Sequence, residues 1–288
     1  MHRRDNGGVS SGEVLDESVW TRPSPALRPY VAWYSGYRQA GLAPAVHRGL
    51  PSPYLTLILT LDDPLTLAAH PDPAQRPGAY QSLLGGLHTT PALITHQGRQ
   101  SGVQVALSPL GARTLLGLPA GELAGADHPA EAVLGGWVVE GQDRLRAAAD
   151  WPARFRAVDQ WLLARAGAVA APPPEVVHAW RLLLAQGGTA GVAELADQVG
   201  WSPRHLSERF GTEIGLAPKA AGRVIRFDRA RRRLAAGRVG SLAELAAGCG
   251  YFDQAHLARE FRALAGCPPS RWLAEESPAV RLAPVDDE

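Results

Sequence analysis

The chain has 288 residues, which exceeds the usual size of one domain, so two domains are the default expectation. Hydrophobic residues make up 45% and charged residues 20%, a composition typical of a folded soluble protein, and the net charge of +1 favours no partner by itself. With no apolar run of membrane length and no basic, apolar leader, the sequence predicts a cytoplasmic protein without a membrane partner.

The first half of the chain predicts a β-rich domain. Residues 1–20 are rich in Gly, Ser and charged side chains, which predicts a loose tail. Beyond them, short apolar or alternating runs are cut by Pro and Gly, as in an antiparallel sandwich or barrel. The predicted strands cover 31–37, 54–61, 65–68, 80–87, 92–96 and 102–107, and 62–78 contains a loop.

The pattern becomes helical after Pro109. Helices are predicted over 111–116, 141–149 and 152–166, where apolar side chains recur at helical spacing or the composition favours helix. A Pro-rich hinge at 170–174 cannot be crossed by a helix. The sequence therefore predicts an α+β protein of two domains: a β-rich domain with a helical connector over 21–170, an all-α domain over 175–276, and a tail over 277–288.

One helical device occurs twice in the second domain. Residues 192–196 read Val-Ala-Glu-Leu-Ala and are followed by Gly200-Trp201, whereas residues 242–246 read Leu-Ala-Glu-Leu-Ala and are followed by Gly250-Tyr251. Beyond these pairs the second copy has one extra residue, Phe252. Each copy predicts two helices joined by a left-handed glycine turn, which is a helix-turn-helix. Its second helix is capped by Ser202 in the first copy and by Asp253 in the second.

This doublet, with Arg226, Ala230 and Leu234 between the copies and the segments 250–257 and 266–269, resembles the DNA-binding domain of the AraC/XylS transcription regulators. The resemblance implies a sequence-specific, non-enzymatic regulator that binds double-stranded DNA. The helix predicted between the copies, over about 220–236, spans roughly 25 Å at about 1.5 Å per residue, so one chain is expected to read two consecutive major grooves. If the protein activates transcription, RNA polymerase is a further partner. The chain departs from the family at Phe252, where a small polar residue is usual, and at Leu257, where an aromatic residue is usual. A helical bundle that binds nothing is the alternative for this stretch.

The first half resembles the β-rich effector domains that precede this DNA-binding module, which form a cupin-like barrel in many members. The resemblance rests on His47 with Leu50-Pro51-Ser52, on Gly-Gly-Leu-His at 85–88 and on Leu-Ser-Pro-Leu-Gly-Ala at 107–112. It implies a receiver for a signal or a dimerisation surface. It identifies no ligand, so both a small-molecule effector and a homodimer stay open.

Candidate DNA contacts follow from the predicted recognition helices, which begin at Pro203 and Gln254. The candidate base contacts in the first helix are Arg204, Ser207 and Glu208. Those in the second helix are Gln254, Ala255, Ala258 and Arg259. Arginine can hold guanine, glutamine can hold adenine, and glutamate can accept from the cytosine amino group. An exposed i,i+4 ion pair is the alternative for Arg204 and Glu208.

The candidate phosphate contacts are Lys219, Arg223 and Arg262. The helix between the two copies also carries a run of arginines at 223, 226, 229, 231, 232, 233 and 238. Phosphate contact and a merely solvated helix face are equally compatible with that run.

Candidate effector-pocket residues in the β-rich half are Trp33, Tyr37, His47, Tyr54 and His88, although inward aromatic side chains are more often core. His47, His70, His88 and His96 form no His-x-His pair and no glutamate follows at short spacing, so neither a metal nor a cofactor is predicted. No nucleophile elbow, phosphate loop or dinucleotide-binding glycine run occurs either. The remaining alternative to a regulator is a cupin-like enzyme or small-molecule binder with a helical partner-binding domain.

Overall fold

The structure is a computed structural model that describes residues 14–165, 171–237 and 239–276. The described residues form ten β-strands, which make two sheets, and eleven α-helices. The strands are β1 (Leu15–Thr21), β2 (Val31–Ala40), β3 (Ala45–Gly49), β4 (Leu55–Thr60), β5 (Leu65–Ala69), β6 (Gly78–Tyr80), β7 (Ser82–Gly85), β8 (Ala92–His96), β9 (Gln100–Leu107) and β10 (Asp127–Pro129). One sheet has the order β1-β2-β9-β4-β7-β10 and the other has the order β3-β8-β5-β6, with every pairing antiparallel.

β4 shows why the larger sheet is covered on both faces. Successive side chains of a strand point to opposite faces. Leu55, Leu57 and Leu59 pack into one hydrophobic core with the helices, while Ile58 packs into a second core with Leu65 and other residues of the smaller sheet. The sequence of β4 is therefore almost uniformly apolar, because neither face meets water.

The predicted tail over residues 1–20 was wrong at its end, because residues 15–20 belong to β1. This strand pairs with β2 from Leu15 opposite Ala40 to Thr21 opposite Tyr34. β1 lies at the edge of its sheet, where charged side chains such as Asp16 and Glu17 are tolerated and discourage pairing with another chain. The composition of residues 15–20 suggested a tail, but their pairing with β2 makes them a strand. Residues 1–13 lie outside the described part of the chain.

The other predicted strands were confirmed at their predicted positions. One of them is divided into two strands, and two further strands had not been predicted. The segment predicted as one strand over 80–87 is divided at Gln81 between β6 and β7, which lie in different sheets. The short strands β3 and β10 were not predicted. β5 lies inside the segment 62–78, and the loop predicted there follows it.

All of the α-helices except α1 follow the last β-strand in chain order. They are α1 (Ala112–Leu116), α2 (Ala130–Leu134), α3 (Gly136–Ala147), α4 (Trp151–Leu163), α5 (Pro174–Ala185), α6 (Val192–Gln198), α7 (Pro203–Ile214), α8 (Pro218–Ala235), α9 (Leu242–Gly248), α10 (Gln254–Ala265) and α11 (Pro269–Glu276). Two short 3₁₀ turns, Pro109–Gly111 and Ala120–Leu123, flank α1. No helix of the described residues is long and apolar enough to cross a membrane.

The predicted hinge lies partly outside the described residues, which resume at Ala171. Residues 171–173 are not helical, and α5 begins at Pro174, a residue that fits the first helical turn because no amide hydrogen is needed there. The boundary between 170 and 175 stays a prediction. The tail predicted over 277–288 also lies outside the described residues.

The hydrophobic core is not divided at that hinge. Trp180, Leu195 and Phe210 of α5, α6 and α7 belong to the same buried cluster as the strands of the larger sheet and helices α1 to α4. The second helix-turn-helix closes a cluster of its own, which contains Phe227, Leu245, Cys249, Leu257, Phe261 and Trp272. The two helix-turn-helix units are therefore attached to the rest of the molecule in different ways.

Candidate nucleic-acid interface and effector cavity

Both recognition helices begin at the predicted residues, because local signals define their ends. The glycine turns at Gly200 and Gly250 have φ values of +70° and +73°. The Ser202 hydroxyl accepts a hydrogen bond from the His205 amide at 3.2 Å, and the Asp253 carboxylate accepts one from the His256 amide at 2.6 Å. These N-caps satisfy amides that would otherwise lack a partner at the helix start.

The first recognition helix, α7, exposes Arg204 and Glu208. Arg204 Nε donates to Glu208 Oε1 at 3.0 Å, and the two side chains are 89% and 61% exposed. Ser207 is half-buried and its hydroxyl donates to the Pro203 carbonyl at 2.8 Å. In the protein without DNA, Arg204 and Glu208 therefore form the i,i+4 ion pair that was the alternative to base contact. Because such an exposed pair contributes only about 0.3–0.5 kcal/mol, both side chains can exchange it for other partners at little cost.

The second recognition helix, α10, presents a different set of side chains. Gln254, Ala255 and Arg259 are exposed and Ala258 is half-buried. Among the described residues, Arg259 has neither an ion pair nor a hydrogen bond, so its guanidinium carries five free N–H donors. Arg209 is also exposed on α7, although the sequence pattern did not indicate it, because its exposure depends on which helix face is buried.

The three candidate phosphate contacts differ in their surroundings. Lys219 and Arg262 are exposed. Arg223 is half-buried, and its Nε donates to Glu260 Oε2 at 2.7 Å, which braces α8 against α10. Arg223 is therefore engaged within the protein, whereas the other two cations are directed to solvent.

The arginine run on α8 mostly holds the protein together. Arg226 donates to the Gly188 carbonyl and its guanidinium lies 5.8 Å from the centre of the Tyr251 ring. Arg231 and Arg232 hold the buried Asp228 carboxylate at 2.5 and 2.7 Å. Burial alone would raise the pKa of Asp228, but these two cations lower it overall. Neither a solvated face nor a phosphate stripe describes these positions, and Arg238 lies outside the described residues.

A cavity of about 280 Å³ lies among the two sheets and α8. Four of the five predicted effector-pocket residues line it: Trp33, Tyr37, His47 and His88. Tyr54 does not line it. Arg231 and Arg232 of α8 contribute to its wall, so the DNA-binding half closes a cavity of the β-rich half.

Both polar and apolar side chains line the cavity, and two of the lining residues have a buried donor without a partner among the described residues. Arg231 is only 7% exposed, yet its Nε has no hydrogen-bond partner among the described residues, and neither has the indole nitrogen of Trp33. Burial, together with the neighbouring His96, lowers the pKa of His47 to about 4. Burial also lowers the pKa of His88, whose Nδ1 lies 2.6 Å from the Thr90 carbonyl oxygen. Both imidazoles are therefore neutral at pH 7.

His70 belongs to a structural network that the sequence did not indicate. Its Nδ1 lies 2.8 Å from the Asp127 carboxylate and its Nε2 lies 3.1 Å from the Tyr80 hydroxyl, which ties the end of β5 to β6 and β10. Within the ranges that the structure describes, no group of three or more His, Cys, Asp or Glu side chains is placed to hold a metal ion.

Ion pairs made by two arginines join the DNA-binding half to the β-rich half. Arg113 of α1 forms a bidentate pair with Glu213 of α7, with distances of 2.6 and 2.8 Å. Arg48 of β3 pairs with Glu275 at 2.9 Å and with Glu276 at 2.8 Å, both in α11. The first pair anchors the first recognition helix, and the second anchors the end of the other helix-turn-helix unit.

Two helix-turn-helix units with exposed recognition helices, carried behind a β-rich domain, define a DNA-binding protein of the transcription-regulator class. A family described as "Helix-turn-helix domain" matches residues 195–275, and one described as "Domain of unknown function (DUF6597)" matches residues 21–129. These matches support the predicted resemblance to the AraC/XylS transcription regulators. The predicted two-domain α+β fold and the DNA-binding character are thereby confirmed.

Several solved structures are similar to this chain. An apo variant of ToxT from Vibrio cholerae is 10% identical, with a TM-score of 0.50 over 84% of this chain and 96% of ToxT. The DNA-binding domain of AdpA, solved in complex with a target DNA, is 28% identical over 36% of this chain and 92% of its own, with a TM-score of 0.32. A regulator with an AraC-type DNA-binding domain from Chromobacterium violaceum is 24% identical over 35% and 90% of the two chains, with a TM-score of 0.32. No curated protein matches the chain.

Proposed function

We propose that one chain reads two consecutive major grooves of a specific DNA site, with α7 in one groove and α10 in the next. The observation that carries this proposal is the placement of α8. Its 18 residues span roughly 27 Å at about 1.5 Å per residue. Ala221 and Ile225 of α8 pack into the core of the first unit, whereas Phe227 and Ala230 pack into the core of the second. A helix held in both cores supports a fixed separation near the roughly 34 Å of one DNA turn.

The two recognition helices present different chemistry, which supports an asymmetric site. In α7, Arg204 suits guanine and Glu208 suits the cytosine amino group. In α10, Arg259 suits guanine and Gln254 suits adenine. A monomer with these two surfaces reads a non-palindromic sequence, and Lys219 and Arg262 are the candidates that contact phosphates.

Arg259→Ala tests the base-reading role. A site is first selected from random DNA with the wild-type protein, and affinities are then measured on the selected and on random DNA over a series of salt concentrations. The variant is expected to lose about 1–3 kcal/mol on the selected site and much less on random DNA. Arg144→Ala is the matched control, because Arg144 lies in an exposed i,i+4 pair on α3. Equal losses on both DNAs would make Arg259 a phosphate contact, and salt-independent binding would contradict DNA binding through cations.

We also propose that the N-terminal domain modulates DNA binding through the cavity closed by α8. A ligand with hydrogen-bond acceptors would satisfy Arg231 Nε and the Trp33 indole nitrogen, two buried donors whose lack of a partner is costly. A small-molecule panel of organic acids, sugars and amines can be screened by the rise in melting temperature. Ala92→Phe, which fills the cavity from β8, is expected to abolish both that rise and any change in DNA affinity. An unchanged response in this variant would place the effector site elsewhere.

A further inference from the structure

Phe252 is the most exposed of the large hydrophobic side chains in the described residues, at 92%. Burying a phenylalanine side chain is normally favourable by about 1.5–3 kcal/mol, so the free protein gains no hydrophobic stabilisation from this one. Phe252 is also the residue by which the second helix-turn-helix turn exceeds the first.

The turn itself directs Phe252 outward. The preceding residue, Tyr251, takes the interior position: it is 5% exposed and its ring meets that of His256 edge-on at 5.4 Å. The following residue, Asp253, caps α10. The Phe252 amide lies 3.3 Å from His256 Nδ1, to which it donates, so the backbone is held on both sides of an unburied side chain.

We infer that Phe252 is a specificity residue that contacts the 5-methyl group of a thymine beside the bases read by α10; this inference rests on the proposed function. Residues at the N-terminal end of a recognition helix meet the base edges, so a side chain just ahead of the N-cap lies at the rim of the same groove. The thymine methyl is the apolar group that the major groove offers, and phenylalanine is among the side chains that recognise it.

The surroundings of Phe252 favour DNA over a protein partner. Asp253, Gln254 and Ala255 follow it on the surface and are polar or small, and all three are exposed. Protein interfaces have a contiguous apolar centre, which a single aromatic side chain among such neighbours does not provide. A solitary apolar group beside candidate base contacts instead matches the isolated methyl groups of a DNA groove.

Replacement of single thymines by deoxyuridine tests the inference, because it removes only the 5-methyl group. The DNA is the site selected by the wild-type protein. One thymine in the half read by α10 is expected to show about a 3- to 10-fold loss of wild-type affinity on this replacement. Phe252→Ser should show a similar loss on the thymine site and no further loss on the deoxyuridine site. Phe252→Leu, which keeps an apolar contact, should retain part of the thymine preference.

The controls separate the possible failures. Val139→Ser removes another exposed apolar side chain, on α3, and should leave all affinities unchanged. Equal losses for Phe252→Ser on selected and random DNA would overturn the inference in favour of contact with the sugar backbone. Unchanged DNA affinity would overturn it in favour of a protein partner. A wild-type protein that selects no sequence would instead refute the proposed function itself.

Discussion

The Arg113–Glu213 pair provides a direct test of how the first recognition helix is held. Glu213 lies near the C-terminal end of α7. Its side chain is 1% exposed, whereas that of Arg113 is 27% exposed. Both carboxylate oxygens of Glu213 accept from Arg113. The 3₁₀ turn Ala120–Leu123 also packs closely against α7, since a side chain at Gly121 would collide with the Thr212 carbonyl. Arg113→Ala therefore leaves the buried Glu213 carboxylate without its cation.

The expected cost follows from this geometry. Removing one partner of a buried pair costs about 3–5 kcal/mol, and the partial exposure of Arg113 points to the lower end of that range. Glu213→Gln removes the buried charge and keeps the shape, so it should cost less. Arg144→Ala, which breaks the exposed pair with Glu140, should change the free energy of unfolding by no more than about 0.5 kcal/mol. Urea unfolding, followed by near-UV circular dichroism, measures all three variants. If Arg113→Ala cost as little as Arg144→Ala, the anchoring of α7 through this pair would be refuted.

Three further predictions follow from the same structure. Because α5, α6 and α7 share their core with the first half of the chain, a fragment that starts near Glu175 is expected to be less stable than the full chain and to bind the selected DNA more weakly, as urea unfolding and a gel shift would show; unchanged stability and affinity would contradict the shared core. Inserting about five or about ten base pairs between the two half-sites should abolish tight binding by one chain, since α8 fixes the separation; full affinity with ten would refute the rigid connection. Because the folded pKa of His47 is lowered to about 4, the unfolded chain takes up this proton first as pH falls from 6.5, so stability is lost between pH 6.5 and 4. His47→Gln should reduce that loss in urea unfolding at pH 7.5 and 5, and parallel losses would contradict it.

The recognition helices could be predicted to the residue because their ends depend on neighbours in the sequence. Pro203 and the caps Ser202 and Asp253 act within one helical turn, and the duplication fixes the register of the second unit from the first. Arg204 and Glu208 are only four residues apart, so their ion pair could also be predicted as an alternative to base contact. The pairing of Asp228 with Arg231 and Arg232 was equally local, at three and four residues, and could have been found by the same rule.

The features that the sequence did not indicate depend on contacts between distant residues. β1 is a strand because β2 supplies its hydrogen-bond partners, not because its own composition favours one. Arg113 and Glu213 are separated by 100 residues, and His70 and Asp127 by 57. The cavity was anticipated from aromatic and histidine side chains, but its wall of α8 arginines depends on how the two halves pack.

The unequal attachment of the two helix-turn-helix units bears on how a signal could act under the proposed function. The first unit shares its core with the β-rich half and is anchored by Glu213, so moving α7 would disrupt that core. The second unit has its own core and reaches the β-rich half through the cavity wall on α8 and through Arg48. A ligand in the cavity touches the second attachment and not the first. It can shift DNA affinity only by as much as its own affinity differs between two positions of α8. The consequence is that an effector would change the affinity for the whole site rather than the base preference of either recognition helix, so selected sites should keep their half-site sequences with and without ligand.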